Sequence, residues 1–244
     1  MSLNTEAAPA AFTVRSLVSA ILDTDTTAGT DETICKRARV STLGAAAAAS
    51  GEAAGLINYL MKNRHGSPFE HTSLSFLIEA PIFVAREHMR HRAGWSYNET
   101  SGRYRELEPV FYVPERDRPL VQQGKPGEYT FVQGTDEQFG IMRWEHEQVY
   151  RVAWSGYQRM LKAGIAKEVA RDVLPVGLYT AWYATCNTRS LMHFLSLRTK
   201  DQAAYFPSFP QIEIESVARQ METQFAEQFP LTYAAFIRNG RVAP

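Results

Sequence analysis

Cysteine is scarce in this chain. Two occur in 244 residues, Cys35 and Cys186, and neither belongs to a CxxC or CxxCH pattern. A disulfide framework and a cysteine-based metal or haem site are therefore not expected, and the scarcity suits a reducing cytoplasm. Long apolar runs are absent as well: no stretch of about 18 apolar residues occurs, so no membrane span is expected. Charge of one sign is not in excess. With 26 basic and 26 acidic residues the formal net charge is zero, which removes any general field for nucleic acid or another polyanion. An anion site has to be built locally. The chain also lacks GxGxxG, Walker A, GxSxG and HExxH motifs and any internal repeat. Its opening, "MSLNTEAAPAAF", has neither the basic start nor the apolar core of a secretory leader and reads as a flexible tail over 1–12.

What is present is the composition of a soluble globular protein, 45% hydrophobic and 21% charged. "FTVRSLVSAILD", Phe12 to Asp23, is predicted as an opening strand, and "STLGAAAAASGEAAG", Ser41 to Gly55, as a mobile loop feeding the helix "GLINYLMKN". Thr72 to Ala80 alternates as a strand. Pro81 then suits the first turn of a helix extended through "IFVAREHMRHR". Arg103–Leu107 and Val110–Pro114 read as short strands, and "DRPLVQQGKPGEYTFVQG" as a long irregular connection. The second half is predicted to be helical: Asp136 to Ala163, "AKEVARDVL", Asn187 to Arg198, and "QIEIESVARQMETQFAEQF" before a polar tail.

The chemistry-bearing string is "MRHRAGWSYNETSGRY", Met89 to Tyr104. Guanidinium groups give planar, bidentate recognition of phosphate. The "SYNETSGR" that follows adds hydroxyls, an amide, a carboxylate and Gly102, where the backbone can approach an anion closely. A site for one or two phosphate-bearing ligands is one reading; a solvated, cation-rich helix end is the other. Glu87, His88 and His91 offer ligands at one-turn spacing, but the adjacent arginines would repel a cation, and no metal site is expected. A second polar cluster lies downstream: Arg171 in "VARDVLP", and Asn187, Arg189, His193 and Arg198 in "CNTRSLMHFLSLR". Arg198, on an otherwise apolar helix face, calls for an anionic or carbonyl partner.

Taken together, "SPFEHTSLSFLIEAPIFVAREHM", "RHRAGWSYNETSGRY", "EVARDVLP" and "NTRSLMHFLSLR" closely resemble the flavin-dependent thymidylate synthases over roughly Arg37 to Arg198. The resemblance implies an α/β (α+β) fold with helices packed on an antiparallel sheet, here a single catalytic domain over 13–240. It also implies a homotetramer with active sites shared between subunits. The family's reaction methylates dUMP to dTMP with 5,10-methylenetetrahydrofolate as carbon donor, FAD as hydride carrier and NADPH as reductant. By the same resemblance Ser67, Arg90, His91, Arg92, Glu99, Asn187, Arg189 and His193 would contact FAD. Glu87, Arg90, Glu99, Ser101, Gly102, Arg103, Arg171 and Arg198 would contact dUMP. Arg198 would be the catalytic group that helps to ionise the uracil at N3, so that no cysteine nucleophile is needed.

Two departures from the family pattern stand out. Eight residues rather than seven separate "RHR" from Ser101, which predicts a bulged loop at Gly94-Trp95, and "AYFPSFP", Ala204 to Pro210, lengthens the segment after Arg198. Two alternatives from other classes remain at this point. One is a single-stranded nucleic-acid binder stacking bases on Trp95, Tyr97 and Tyr104; the other is a flavoprotein of this fold without synthase activity.

Overall fold

A computed structural model describes residues 11–44, 52–125 and 128–244. In chain order its elements are β1 (Thr13–Arg15), β2 (Ser19–Leu22), α1 (Asp31–Leu43), α2 (Ala53–Lys62), β3 (Leu74–Pro81), α3 (Ile82–His88), β4 (Trp95–Glu99) and β5 (Val110–Tyr112). There follow β6 (Val121–Lys125), β7 (Glu128–Val132), α4 (Asp136–Lys162), α5 (Lys167–Ala170), β8 (Tyr179–Cys186), α6 (Thr188–Arg198), α7 (Ile212–Gln228) and α8 (Pro230–Arg238). Two 3₁₀ turns, Ser67–Glu70 and Arg171–Val173, complete the list. The fold is α+β. Sequence reasoning treats 13–240 as one domain, while the packing groups the chain into two compact units.

The first unit takes in the residues up to Leu17, Ala80–Phe83 and Thr100–Thr180. Here β1 pairs with β5 in parallel, Thr13 opposite Val110 and Arg15 opposite Tyr112. Its core is largely aromatic: Phe111 stacks on Tyr150 at 4.6 Å, and Trp154 and Tyr157 continue the buried face of α4. That helix begins in a reciprocal cap, because Thr135 accepts from Gln138 N while the Gln138 side chain accepts from Thr135 N. Tyr150 also donates its buried hydroxyl to Tyr112 O at 2.7 Å, and burial pushes the phenol up to about 12.

The second unit takes in Val18–Glu79, Val84–Glu99 and Ala181–Pro244. Its sheet has the strand order β2-β3-β8-β4, with β2–β3 and β4–β8 antiparallel. An edge strand leaves backbone groups unpaired, and β2 has them satisfied by α7 instead of by another strand. Gln220 accepts from Ala20 N and donates to Val18 O; Gln224 accepts from Leu22 N and donates to Ala20 O. The i,i+4 spacing brings both amides to one side of the helix.

Several expectations from sequence are corrected. Phe12–Asp23 is two strands rather than one, since β1 and β2 join different sheets. Arg103–Leu107 is not a strand: Ser101 collects the N–H groups of Arg103, Tyr104 and Arg105 and curls the chain into a turn. The expected irregular connection is the β6–β7 hairpin, with Val121 opposite Val132. The basic trio lies beyond α3, not on its last turn, because the helix closes at His88 and Arg90 N and His91 N turn back to Glu87 O and His88 O. "AKEVARDVL" is only the four residues of α5 plus a 3₁₀ turn. Instead of a polar tail the chain forms α8, started by Pro230 at its first position. Of the expected loop Ser41–Gly55, the first residues close α1 and the last open α2, whereas 45–51 lie outside the described residues, as does 1–10 of the expected tail.

The start of α8 depends on a distant side chain. The buried carboxylate of Asp31, the first residue of α1, accepts from Leu231 N at 2.8 Å, Thr232 N at 2.9 Å and Thr232 Oγ1 at 2.6 Å. Asp31→Ala is expected to destabilise the protein by about 2 kcal/mol, the cost of a lost cap with buried donors left unpaired. A shifted urea midpoint at unchanged slope is the readout; an unchanged midpoint would show that water replaces the carboxylate without cost.

Candidate active site

Arg198 ends α6, and its guanidinium donates to two groups of the same unit. Nη1 pairs with Glu87 Oε1, and Nε donates to His91 Nε2 at 3.1 Å. The pair is shielded, with 22% of the Arg198 side chain and 23% of Glu87 exposed. Since an arginine donates and never accepts, His91 Nε2 must be the unprotonated nitrogen of a neutral imidazole. Burial, followed by the charges of Arg198, His193 and Arg90, pushes this histidine down to about 4. The anionic partner that the sequence demands for Arg198 is thus Glu87.

Beneath that pair lies His88, fully buried among Trp95, Tyr97, Trp182 and Phe194, with ring centroids 4.7–5.9 Å away. Trp182 Nε1 donates to its Nδ1 at 3.3 Å, and Nε2 has no partner. Burial, then His91 and Arg198, pushes it down to about 3. The Tyr97 hydroxyl reaches His88 O at 3.1 Å and His91 O at 2.7 Å, so it fixes the backbone that carries Glu87 and the basic trio. Burial, with the Cys186 thiol a lesser cause, raises this phenol above its ordinary value. The β4–β8 register makes the box possible by setting the large Trp95 and Tyr97 opposite the small Cys186 and Ala184.

The one-residue insertion is taken up without a bulge in β4. Gly94 adopts φ +70° in a tight turn, Trp95 N bonds to Arg92 O, and pairing runs uninterrupted from Trp95 to Glu99. A Cβ on Gly94 would lie 2.2 Å from Ser190 Oγ and 2.9 Å from Asn187 Nδ2, so the turn lies directly against the start of α6. There Asn187 caps the helix by accepting from Ser190 N, and Ser190 Oγ donates to Ala93 O at 2.9 Å. Asn187, Arg189 and His193 line a cavity of about 570 Å³, together with Arg64, Gly94 and Pro244. Arg189 is held by Glu70 at 2.5 Å and by Pro244 O at 2.6 Å.

In the other unit Ser101, Gly102 and Arg103 form the turn described above, and Arg171 packs against it. A Cβ on the buried Gly102 would lie 2.9 Å from Leu107 Cδ1 and 3.2 Å from Arg171 Cδ. Arg103 pairs with Glu168 at 3.0 Å, an exposed contact. The predicted residues therefore gather in three groups: Glu87, His91 and Arg198; Asn187, Arg189 and His193; and Ser101, Gly102, Arg103 and Arg171. Ser67, Arg90, Arg92 and Glu99 are exposed. Sequence reasoning missed Tyr97, Trp182 and Arg64 as supports. Period-2 alternation in "WSYNE" and "YTAWYATC" was the available signal for the first two. Among the described residues no cluster of three His, Cys, Asp or Glu side chains is arranged to hold a metal ion.

Comparison with known proteins adds a decisive observation. A family model described as "Thymidylate synthase complementing protein" matches residues 24–231. The chain belongs to the flavin-dependent thymidylate synthase family. A "Flavin-dependent thymidylate synthase" of Streptomyces coelicolor is 59% identical over 222 residues, covering 89% of this chain and 90% of that one. Its counterpart in Streptomyces avermitilis is 65% identical over 190 residues, 78% and 77% of the two chains. Among solved structures, a UMP/dUMP methylase PolB of Streptomyces cacaoi bound with 5-Br UMP superposes with a TM-score of 0.88 at 50% identity, covering 96% of this chain and all of the other. The family's expected α+β architecture is the one observed, with the parallel β1–β5 pair as an addition to the antiparallel sheet.

The two depressed histidines tie stability to pH with a definite sign. Unfolded, each takes up a proton near 6.5; folded, His91 resists down to about 4 and His88 to about 3. Protons therefore bind the unfolded chain first as pH falls, so the contribution is complete above pH 6.5 and is lost progressively below it. Chemical denaturation at pH 7 and pH 5 should show lower stability at pH 5, and His88→Phe should flatten that difference. An equal pH 7 to pH 5 loss in wild type and variant would remove His88 as a cause.

Proposed function

We propose that this chain converts dUMP to dTMP by reductive methylation, with 5,10-methylenetetrahydrofolate as carbon donor, FAD as hydride carrier and NADPH as reductant. The observation that carries the reading is Arg198: a permanent cation, shielded from water, held in one orientation by Glu87 and a neutral His91. Fixed positive charge of that kind stabilises negative charge developing on a pyrimidine ring without reorganising during the reaction.

The residues present fit a dinucleotide cofactor. The cavity beside the start of α6 offers the guanidinium donors of Arg64 and Arg189, the amide of Asn187 and the imidazole of His193. Such a donor set suits a diphosphate, and the helix N-terminus favours an anion there. Asn187, Arg189 and His193 hold FAD, with Ser67, Arg90, His91, Arg92 and Glu99 completing its contacts. Bound FAD supplies hydride transfer. Ser101, Gly102, Arg103 and Arg171 take the dUMP phosphate, a tight turn with backbone N–H groups and two guanidinium groups. Glu87, Arg90, Glu99 and Arg198 take the remainder of the nucleotide, and Arg198 polarises the pyrimidine.

The nucleic-acid alternative loses support, because Trp95 and Tyr97 pack on His88 instead of facing solvent as stacking platforms. A second substrate reading does have an observation behind it. A relative half identical to this chain is described as a UMP/dUMP methylase, which makes UMP a competing substrate. The active assembly is a homotetramer acting in the cytoplasm. Support for association comes from the stripe of Ile141, Trp144, Val149 and Val152 on α4, all more than half exposed. No helix of the described residues is long and apolar enough to cross a membrane.

Purified protein should show flavin absorbance and form dTMP from dUMP, methylenetetrahydrofolate and NADPH. Arg198→Ala should keep the flavin and lose about 10²-fold or more in turnover; substantial activity in that variant counts against the role given to Arg198. UMP in the same assay tests the second reading. On association, Val152→Glu should shift the assembly to smaller species by light scattering; an unchanged mass would place the interface elsewhere.

A further inference from the structure

Among the described residues, two that are not glycine have a positive φ, and both are arginines: Arg64 at +61° and Arg241 at +58°. Each stands where a helix closes in the same kind of turn. At the end of α2, Arg64 N and His65 N turn back to Met61 O and Leu60 O. At the end of α8, Gly240 N and Arg241 N turn back to Ile237 O and Phe236 O. Glycine is the usual residue at the left-handed position after such a helix, as Gly240 is at φ +69°, and Arg64 holds the equivalent place after α2. A long side chain kept in a strained conformation calls for a specific task.

The two arginines belong to one device. Arg241 is buried, with 3% of its surface exposed; its Nη1 pairs with the buried Glu222 at 2.6 Å. Its Nη2 donates at 2.6 Å to Oγ1 of Thr199, the residue that follows α6. Three residues further along the chain, near the opposite end of the same helix, Pro244 O accepts from Arg189 Nε at 2.6 Å. Beside it Ala243 O accepts from Arg64 Nη1 at 2.9 Å. Segment 239–244 is therefore a strap, pinned at Arg241, that carries two carbonyls to guanidinium groups lining the cavity of about 570 Å³. Gly66 makes room for it, since a Cβ there would lie 2.5 Å from Arg189 Nε and 2.9 Å from Pro244 O.

The two guanidinium groups differ in what holds them. Arg189 also has the Glu70 carboxylate, whereas Arg64 is oriented by the neutral carbonyl of Ala243. A carbonyl fixes the direction of a guanidinium without cancelling its charge. Arg64 is exposed, so burial does not restrain it, and a long side chain without restraint samples many rotamers.

We propose that Arg64 is a further cofactor-binding residue that pairs with the diphosphate of FAD, and that segment 241–244 is a positioning element that aims Arg64 and Arg189 at it. The proposal rests on the reading that FAD occupies this cavity, and it assigns residues outside those that the family resemblance names. Diphosphate oxygens accept from both guanidinium groups. Because the strap has already ordered them, less rotamer freedom is lost when the cofactor binds, so its effect falls on affinity. The left-handed backbone at Arg64 turns the chain so that this side chain meets the strap, a direction that a relaxed helix end would not give it.

The test titrates FAD into full-chain protein stripped of flavin, follows the quenching of flavin fluorescence, and repeats the titration at low and high salt. Arg64→Gly separates structure from function, because glycine is at ease at φ +61°. Its urea midpoint should equal or exceed that of wild type, while the FAD dissociation constant rises about tenfold. Its affinity should also depend less on salt, since the charge removed is an exposed one. Arg64→Lys keeps the charge without the planar fork and should recover part of the affinity. Deleting Ala243 and Pro244 should weaken FAD binding as well, and should weaken it less in Arg64→Gly than in wild type, because the two changes remove one arrangement. A merely structural Arg64 would give the opposite split, with stability altered and affinity unmoved. An FAD dissociation constant in Arg64→Gly within about twofold of wild type overturns the proposal, and so does full additivity in the combined variant. If the deletion prevents folding, Arg64→Gly and Arg64→Lys decide alone. Failure of the wild-type protein to take up any FAD overturns the proposed function and this inference with it, a result distinct from normal wild-type binding with an indifferent Arg64 variant.

Discussion

A guanidinium cannot shed its charge when it is taken out of water, and the arrangement around Arg198 follows from that constraint. Its charge is matched by Glu87, and its Nε proton needs an acceptor, which fixes His91 as a neutral imidazole. Neutral His91 in turn requires that nothing acidic reach Nε2, and its burial supplies that condition. The carriers of these groups are then locked. Tyr97 fixes the carbonyls of His88 and His91, the β4–β8 register aims Tyr97 and Trp182 at His88, and the start of α6 is bolted to the preceding 3₁₀ turn. In that bolt Thr188 N donates to Thr72 Oγ1 while both threonine hydroxyls donate to Phe69 O, all in the buried interior. Two ends of α6 are therefore set independently, and Arg198 has little freedom left.

Helices α2, α4, α6 and α7 were legible because each repeats an apolar face along its length, whereas α1 and α8 were not. Asp136 to Ala163 was read almost to the residue, as was the start of α6 near Asn187, where the structure adds that the asparagine side chain caps the helix. Strands β4 and β8 were not. In "WSYNE" only one face packs inward, and serine, asparagine and glutamate on a five-residue strand have the composition of a turn. In "YTAWYATC" the buried face is Trp182, Ala184 and Cys186, so the alternation is present but weak, two of its three inward residues being small. Register between two such strands depends on which side chains fit together in the box around His88, a fact of tertiary packing.

The site was legible in its residue types and not in its pairings. Arginines and small polar groups in one string speak of anions, yet that Arg198 takes Glu87 as its partner depends on topology that a linear reading does not contain. The insertion at Gly94 illustrates the same limit in reverse. Sequence counting located the extra residue, but its accommodation follows from glycine's access to φ +70° and from Ser190 and Asn187 being close enough to exclude any side chain. A larger residue would have forced the bulge that counting alone predicts.

In a chain with no net charge, three arginines of the site are not waiting empty for anions. Arg103 has Glu168, Arg189 has Glu70 and Arg198 has Glu87. Ligand binding is therefore an exchange of one anion for another, and its cost differs from place to place. The pairs of Arg103 and Arg189 are about half exposed, and such pairs are each worth about 0–1 kcal/mol, so a phosphate carrying more charge and more acceptor oxygens displaces the carboxylate at little cost. The Arg198 pair is shielded, and separating it would strand two charges in a poorly solvated place. A ligand there gains by joining the pair instead of breaking it. Exposed pairs thus suit the phosphate ends of ligands, while the shielded pair suits a neutral ring that bears both a donor and an acceptor.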